Sequence, residues 1–378
     1  MNTVESTIRP AVDISNSDSC LITKPKKHRC DMLVITALHK EAFHCRTVFK
    51  GTWSIIHIKL GDSQHVSYVA HQSKDCIVDA QTKKYLRVVV ASCTTSGAQK
   101  TNTLIYNLLQ YLEPKAVFMT GICAGNPKDT SLGDIIVARH ALMYDKGKIT
   151  YDEKSQEDVF SRDIDSAKPK TETFLQLAGM LENDFPSKFL KYMPPDTMMP
   201  IPNSVVSDCI MHHKATSKVD LDDAQKILYT RCIEQVALLK PVLKQLKEKN
   251  LLTGTPARGL NSMTATRELD GQYEERIDRP DFLKLEEIPK VLVDGCIASG
   301  NHVKSTPNTW KDLNDLGRKV YGIDMEGHAF YSATAAYPSL FVKSVSDYAY
   351  EKEDSFHTFA MQASAVFAKM IAEEYSWY

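Results

Sequence analysis

No apolar run in this 378-residue chain approaches the ~20 residues that a membrane-spanning helix requires. The N-terminal stretch also lacks the apolar centre of a secretory signal. Neither sign of charge dominates: 46 Lys and Arg against 47 Asp and Glu leave a net charge of -1. No overall field therefore draws the chain to nucleic acid or to an anionic membrane, and neither is expected as a partner. The nine cysteines form no C-x-x-C pair, and Cys93, Cys123 and Cys296 sit inside apolar runs. That excludes a disulfide framework and fits reduced thiols in the cytoplasm. His212-His213 has no second ligand pair at zinc spacing, so no metal is expected. The dinucleotide fingerprint G-x-G-x-x-G, the P-loop and the G-x-S-x-G elbow are all missing, and no cofactor is expected. There is no internal repeat and no low-complexity tract.

What remains has the composition of an ordinary globular enzyme, 43% hydrophobic and 25% charged. Residues 1–29 are polar and aperiodic and read as a disordered tail. Residues 30–378 read as one α/β domain. Continuous apolar runs at 31–38 (DMLVITAL), 86–93 (LRVVVASC) and 116–120 (AVFMT) have the pattern of strands buried on both faces. Residues 54–60 and 66–70 read as a hairpin with Gly61-Asp62 in its turn. Leu104, Ile105, Leu108, Leu109 and Leu112 share a helical face between two of the strands, a βαβ crossover. Near the C-terminus, Phe359, Ala363, Val366, Phe367, Met370 and Ile371 form a helical stripe with Asp354 or Ser355 as N-cap. Residues 150–290 differ in kind. Long amphipathic segments at 172–192 and 222–249, the second interrupted by Pro241, predict a largely helical insertion.

The richest stretch is 320–347, VYGIDMEGHAFYSATAAYPSLFVKSVSD. Asp324-Met325-Glu326 ends one apolar run and Asp347 ends the next, with a helix-like segment between. Such an arrangement predicts a βαβ unit with parallel strands whose acids open on one sheet edge. One acid is placed to accept hydrogen bonds from sugar hydroxyls and the other to protonate a leaving base. Glu41, three residues beyond Leu38, adds a third carboxylate at a strand end. Acids sharing a cleft can hold different protonation states. Ser96-Gly97 and Thr120-Gly121-Ile122-Cys123-Ala124-Gly125-Asn126 are turns at predicted strand ends, where glycine lets backbone approach a ligand. Each alone reads as a structural turn.

In order, Thr36-Ala37-Leu38-His39-Lys40-Glu41, Ser96-Gly97, Thr120 to Gly125, Leu132-Gly133-Asp134, Ala298-Ser299-Gly300-Asn301, Asp324-Met325-Glu326 and Ser346-Asp347 resemble the nucleoside phosphorylase superfamily. The likeness is nearest its hydrolytic branch: the methylthioadenosine/S-adenosylhomocysteine nucleosidases and related nucleosidase domains of immune and signalling proteins. The matching pieces span about residues 31–148 and 291–375. The resemblance implies a central, mostly parallel twisted sheet flanked by helices. It implies that Glu326 holds the ribose 2′- and 3′-hydroxyls, with Met325 packed under the sugar. Asp347, beside Ser346, would protonate purine nitrogen 7, and Glu41 would orient and deprotonate water. Ser96, Gly97 and Gly121 would supply ligand-facing turns, and backbone from Ser299 to Val303 would bracket the base. The expected ligand is a purine nucleoside or nucleotide, and a homodimer or higher homo-oligomer is expected.

Departures leave the substrate's 5′ group open. Lys343 stands where the nucleosidases carry arginine, Tyr350 where many relatives have aspartate, and Asn301 where aspartate is common. Lys146, Lys148, His302 and Lys304, with Arg267 from the insertion, are cationic candidates for a 5′ phosphate. The insertion, about 140 residues, is longer than a surface loop and is a candidate contact for a regulatory partner. A phosphorylase, a non-catalytic ligand sensor and a helical interaction protein are the competing readings. The phosphorylase reading must place phosphate beside Glu41, which is repulsive.

Overall fold

The computed structural model describes residues 20–22, 27–58, 68–79, 84–154, 156–163, 165–194, 199–234, 236–279, 282, 288–302, 306, 309–314, 319–349 and 354–377. They form two compact units, Met1–Met198 with Pro289–Tyr378, and Met199–Ile288.

The strands, in chain order, are β1 (Cys20–Ile22), β2 (His28–Thr36), β3 (Ser54–Ile58), β4 (Tyr68–Asp79), β5 (Lys84–Ser92), β6 (Leu112–Gly125), β7 (Ile135–Met143), β8 (Gly147–Asp152), β9 (Glu157–Arg162), β10 (Asp165–Ala167), β11 (Leu252–Gly254), β12 (Met263–Ala265), β13 (Val291–Ser299), β14 (Val320–Asp324) and β15 (Ser339–Asp347). Eleven belong to one sheet of the first unit. Part of the expected tail is therefore ordered: β1 pairs with β3, and His28 and Arg29 begin β2. The expected hairpin forms between β3 and β4, while its Gly61-Asp62 turn lies outside the described residues.

The mostly parallel sheet expected from the apolar runs is corrected to a mixed one. Six strand pairings are parallel and five antiparallel. The sheet also closes on itself. β6 pairs with β14, β14 with β13, β13 with β7, β7 with β15, and β15 with β6 again. That ring is a small barrel, the closure that twisted strands reach when a sheet curls. An apolar run reports burial on both faces. It carries no information about strand direction.

The first unit's helices are α1 (His39–Phe49), α2 (Ala98–Tyr111), α3 (Thr173–Leu181) and α4 (Phe185–Tyr192), then, numbered after the four of the second unit, α9 (Thr309–Asn314), α10 (Gly327–Ala333) and α11 (His357–Glu374). A short 3-10 turn, Asp354–Phe356, leads into α11, so neither Asp354 nor Ser355 is its N-cap. α11 is buried nearly all round, not only along its expected stripe, because α1, α3, α4 and the sheet cover it. Aromatic contacts lock these layers: Phe118 on Phe174 at 4.8 Å and Phe185 on Phe367 at 5.6 Å between ring centres.

α10 does join β14 to β15, but not as a parallel βαβ unit. β15 runs parallel to β6, whereas β14 runs antiparallel to it on the other side. Their ends nevertheless coincide. Ala124 of β6 is the register partner of Ile323 and also of Asp347. Two strands thus arrive at one point from opposite directions.

The second unit is helical: α5 (Asn203–Lys214), α6 (Asp223–Glu234), α7 (Val236–Glu248) and α8 (Arg267–Ile277), with the small β11–β12 ribbon. Its bounds are narrower than the expected 150–290, since β8 to β10, α3 and α4 belong to the first unit. Pro241 does not split the long segment. It lies inside α7, and α6 ends before it. Val206, Cys209, Cys232 and Leu243 centre an apolar core. Arg276 grips the buried Asp208 with two bonds, at 2.8 and 3.0 Å.

Two glycines test this packing. A Cβ at Gly125 would lie 2.5 Å from a methyl of the stiff, buried Val345, whereas one at Gly179 in α3 would meet nothing within 4 Å. Gly125→Ala should lower unfolding free energy by ~1–3 kcal/mol through overpacking. Gly179→Ala should raise it by ~0.5–1 kcal/mol. Urea unfolding midpoints of the two variants, shifted in opposite directions, are the expected result.

Candidate active site

The shared end of β14, β15 and β6 opens into a cavity of about 330 Å³. Its lining includes Leu38, Glu41, Ser96, Ile122, Ala124, Met325, Glu326, Lys343, Ser346 and Asp347. Of its ionisable groups, Glu41 at 2% exposure, Glu326 at 4%, Asp324 at 6% and Lys343 at 0% are almost wholly buried.

Glu41 stands in the first turn of α1. Its carboxylate accepts the Leu38 N–H at 2.9 Å and the Ile122 N–H at 3.0 Å. The first bond satisfies a donor that the helix start would otherwise leave unpaired. The second ties α1 to β6. Gly121 explains how the carboxyl fits. It has φ +152°, and a Cβ there would lie 2.2 Å from Glu41 Oε1. The carboxyl group fills the space of the missing side chain. Burial raises the Glu41 pKa, with the Glu326 charge adding to it against the pull of Lys343.

Glu326 accepts the Gly97 N–H at 2.8 Å through Oε1, and its Oε2 lies 3.5 Å from Lys343 Nζ. Gly97 is the N-cap of α2, with φ 125°. A Cβ there would lie 4.0 Å from Met325 Cε, so Met325 covers the same turn. Asp324 works behind them. It accepts the Glu326 and Gly327 N–H groups at 3.0 and 2.9 Å and the Ser299 hydroxyl at 2.8 Å. Burial and the nearby Glu326 charge push its pKa up. Burial disfavours the Lys343 ammonium, yet Glu41, Glu326 and Asp324 outweigh it and raise its pKa. Lys343 is a cation held in place by three acids.

Asp347 is partly open to the cavity. Its Oδ1 accepts the Ala349 N–H at 2.8 Å, and its Oδ2 lies 3.0 Å from the Ser346 hydroxyl, which is also 3.3 Å from the Cys123 carbonyl. The register of β15 on β6 skips Ser346, an irregularity between Val345 and Asp347. Bulges of this kind re-aim side chains at barrel rims.

The cavity thus gathers Glu41, Ser96, Met325, Glu326, Ser346 and Asp347. Gly97 touches Glu326, and Gly121 makes room for Glu41. Lys148 lies elsewhere, exposed on β8 and outside the lining. Lys146 is tied to Asp165 at 2.7 Å. Val303 and Lys304 lie outside the described residues. His302 lines the cavity, 3.6 Å from Asp145, and His357 lines it too, 3.6 Å from Asp354. Sequence reasoning did not assign Lys343, Asp324 or His357 to the site. The available signal for the first was a lysine inside an otherwise apolar and small-residue strand, LFVKSVS. Burial raises the Cys93 and Cys123 pKa values, so neither thiol is poised as a nucleophile.

No family model and no curated protein sequence matches this chain. Solved structures similar to it include futalosine hydrolase of Helicobacter pylori strain 26695, at 13% identity and TM-score 0.46, covering 91% of this chain and 98% of that one. Another is 5′-methylthioadenosine/S-adenosylhomocysteine nucleosidase from Neisseria meningitidis in complex with methylthio-immucillin-A, at 12% and 0.46, covering 91% and 99%. The Helicobacter pylori 5′-methylthioadenosine/S-adenosylhomocysteine nucleosidase stands at 14% and 0.47, covering 93% and 100%. These belong to the superfamily that the sequence motifs resemble. At such scores the reading of the cavity rests on its own residues.

Lys343→Met would leave three buried carboxylates without their cation. Breaking a buried pair this way costs ~3–5 kcal/mol. The direction with pH follows from Glu41. Its pKa is already raised in the folded state, so its contribution is greatest below the unfolded carboxylate range and is lost as pH rises. As pH rises above the ordinary carboxylate range, the variant should therefore lose stability more steeply than the parent chain. Denaturant midpoints of the two chains over a series of rising pH values are the measurement.

Proposed function

We propose that this chain hydrolyses the N-glycosidic bond of purine nucleosides or nucleotides, those of adenine foremost, and releases the free base. The observation that supports this is the meeting of Glu41, Glu326 and Asp347 on one cavity, each carboxylate held differently. Glu326 is fixed by an N–H and an ammonium, as suits a group that accepts the sugar's 2′- and 3′-hydroxyls. Asp347 is the partly exposed acid, suited to protonating purine nitrogen 7 as the base departs. Glu41, with a raised pKa, takes a proton from attacking water.

The electrostatic balance favours this chemistry. Glycosidic cleavage passes through an oxocarbenium-like state, positive at the sugar. Glu41, Glu326 and Asp324 against the one Lys343 ammonium leave excess negative charge there. Fixed charges aimed at developing charge stabilise a transition state strongly. The same excess repels inorganic phosphate, which places hydrolysis ahead of phosphorolysis. At the 5′ end, His302 and His357 are the cavity's donors for a phosphorylated substrate such as AMP or ATP. Lys146 and Lys148 are not on the lining.

Free base should appear without added phosphate when ATP, AMP, adenosine and methylthioadenosine are incubated side by side. A strict requirement for phosphate, with a ribose 1-phosphate product, would sink the hydrolytic reading. Glu41→Gln should slow turnover by ~10²–10⁴, the range for a lost general base. Asp347→Asn should stop adenine release while leaving the circular dichroism spectrum unchanged. Ribosides should outrun 2′-deoxyribosides, since a buried carboxylate left half-paired costs ~1–3 kcal/mol. Equal rates on the two sugars would remove Glu326 from that role.

A further inference from the structure

The side chains of Arg46 on α1, His57 on β3 and His71 on β4 make no hydrogen bond among the described residues. Arg46 Nε and His57 Nδ1 are nonetheless fully buried atoms. As residues all three are only partly buried, so a small ion can reach them. An unpaired buried polar atom costs ~1–3 kcal/mol, and in a native fold it asks for a partner.

The fold gathers the three. In the β3–β4 ladder His57 is opposite Val69, and His71 is opposite Ile55. Opposed residues share a face, so both rings stand on one side of the hairpin as diagonal neighbours, about 7–8 Å apart. On β5, His71 is level with Val90, and Ser92 follows two residues later on the same face. Ser92 Oγ lies 2.6 Å from His39 Nδ1, which fixes the start of α1 over that face. Arg46 is seven residues, or two turns, beyond His39 and lies on the same side of the helix. It is thus brought beside His71. Burial first, then the Arg46 charge and His39, lower the His71 pKa to about 4. At neutral pH His71 is an uncharged ring with one N–H to give, and Arg46 is the cation of the group.

No carboxylate answers that cation. Among the described residues Arg46 has no ion pair. Glu41, on the same helix, is turned into the cavity and held by the Leu38 and Ile122 N–H groups. Asp75, further along β4, is taken by the Thr52 N–H at 2.9 Å and the Ser73 hydroxyl at 2.6 Å. Burial lowers the Arg46 pKa, and a bound anion would oppose that.

We propose that Arg46, His57 and His71 bind a phosphate-sized oxyanion between α1 and the β3–β4 hairpin. Arg46 supplies the charge and a planar fork of donors, and each imidazole supplies one N–H. The ligand has the chemistry of a phosphate group, either the free ion or the phosphate of a nucleotide. None of the three residues lines the cavity, so this is a separate site. It stands independently of the reaction proposed above, although α1 carries both Arg46 and Glu41.

Imidazole NMR on the full chain is the test, with the rings assigned from His57→Gln and His71→Gln. Inorganic phosphate, AMP and adenosine are titrated separately at constant ionic strength, with sodium chloride as the blank. The His57 and His71 signals should shift together and saturate with phosphate or AMP, and stay still with adenosine and chloride. Saturation by phosphate alone assigns the site to the free ion. Tighter saturation by AMP assigns it to a nucleotide's phosphate. Arg46→Met should weaken the binding by ~10–100-fold, the worth of one hydrogen bond to a charged group. The titration of the parent chain decides the matter even where a variant fails to fold. Shifts that never saturate, that chloride or adenosine reproduces, or that a folded Arg46→Met chain shows as tightly as the parent overturn the proposal.

Discussion

The Lys343 ammonium, buried among carboxylates, is the interaction on which the rest of the first unit turns. Lys343 has no exposure at all. Its backbone is the register partner of Gly121 in β6 and of Ile136 in β7, so it sits on the strand that closes the barrel. An isolated ammonium there would carry a desolvation cost of several kcal/mol. Glu41, Glu326 and Asp324 make the position tenable, and in turn need it. Barrel closure and acid placement are thus one problem solved by one residue. The strand can pass through the core only where the acids collect, and the acids can collect only where the strand brings a cation.

That mutual dependence is uneven in charge. Three acids share one base, and the surplus is not fully relieved by backbone donors. Glu41 and Asp324 respond with raised pKa values. A site in this state gains from any event that brings positive charge or a proton near it. The glycosidic cleavage proposed above would bring both, a cationic sugar and a proton released by water. The free-energy cost of crowding the acids is built into the folded state and would be relieved during such a reaction, which is how preorganised charge acts.

Much of this was legible in the sequence, for identifiable reasons. Glu326 and Asp347 stood out because each lies at the end of an apolar run, and run ends are where strands open onto clefts. Glu41 was legible for the same reason, and Gly97 and Gly121 because glycine at a strand end implies close approach. Strand direction was not legible. The run 320–324 and the run 339–347 look alike in composition, yet one lies antiparallel and the other parallel to β6. Direction is set by pairing with strands far away in the chain, which local composition does not encode. Lys343 was visible only as a departure from a motif, because a single lysine in a strand has no periodic signature. The helical insertion was visible as a change of pattern. Its edges were not, since α3 and α4 are amphipathic in the same way but pack on α11.

The convergence of β14 and β15 on Ala124 has a consequence for how this chain can vary. Both acid-bearing ends are measured from the same residue, so neither depends on the length of the connections that lead to them. Segments between strands can be long, as the Met199–Ile288 unit between β10 and β13 is, without moving Glu326 relative to Asp347. A slip of a single residue along β6 is another matter. It would turn both Lys343 and Asp347 to the opposite face of β15 and leave the cavity without its cation and without one of its acids. The architecture is permissive of insertion and intolerant of frame. Lineages of this fold should therefore diverge in loop content long before they diverge in the spacing from Gly121 to Ala124.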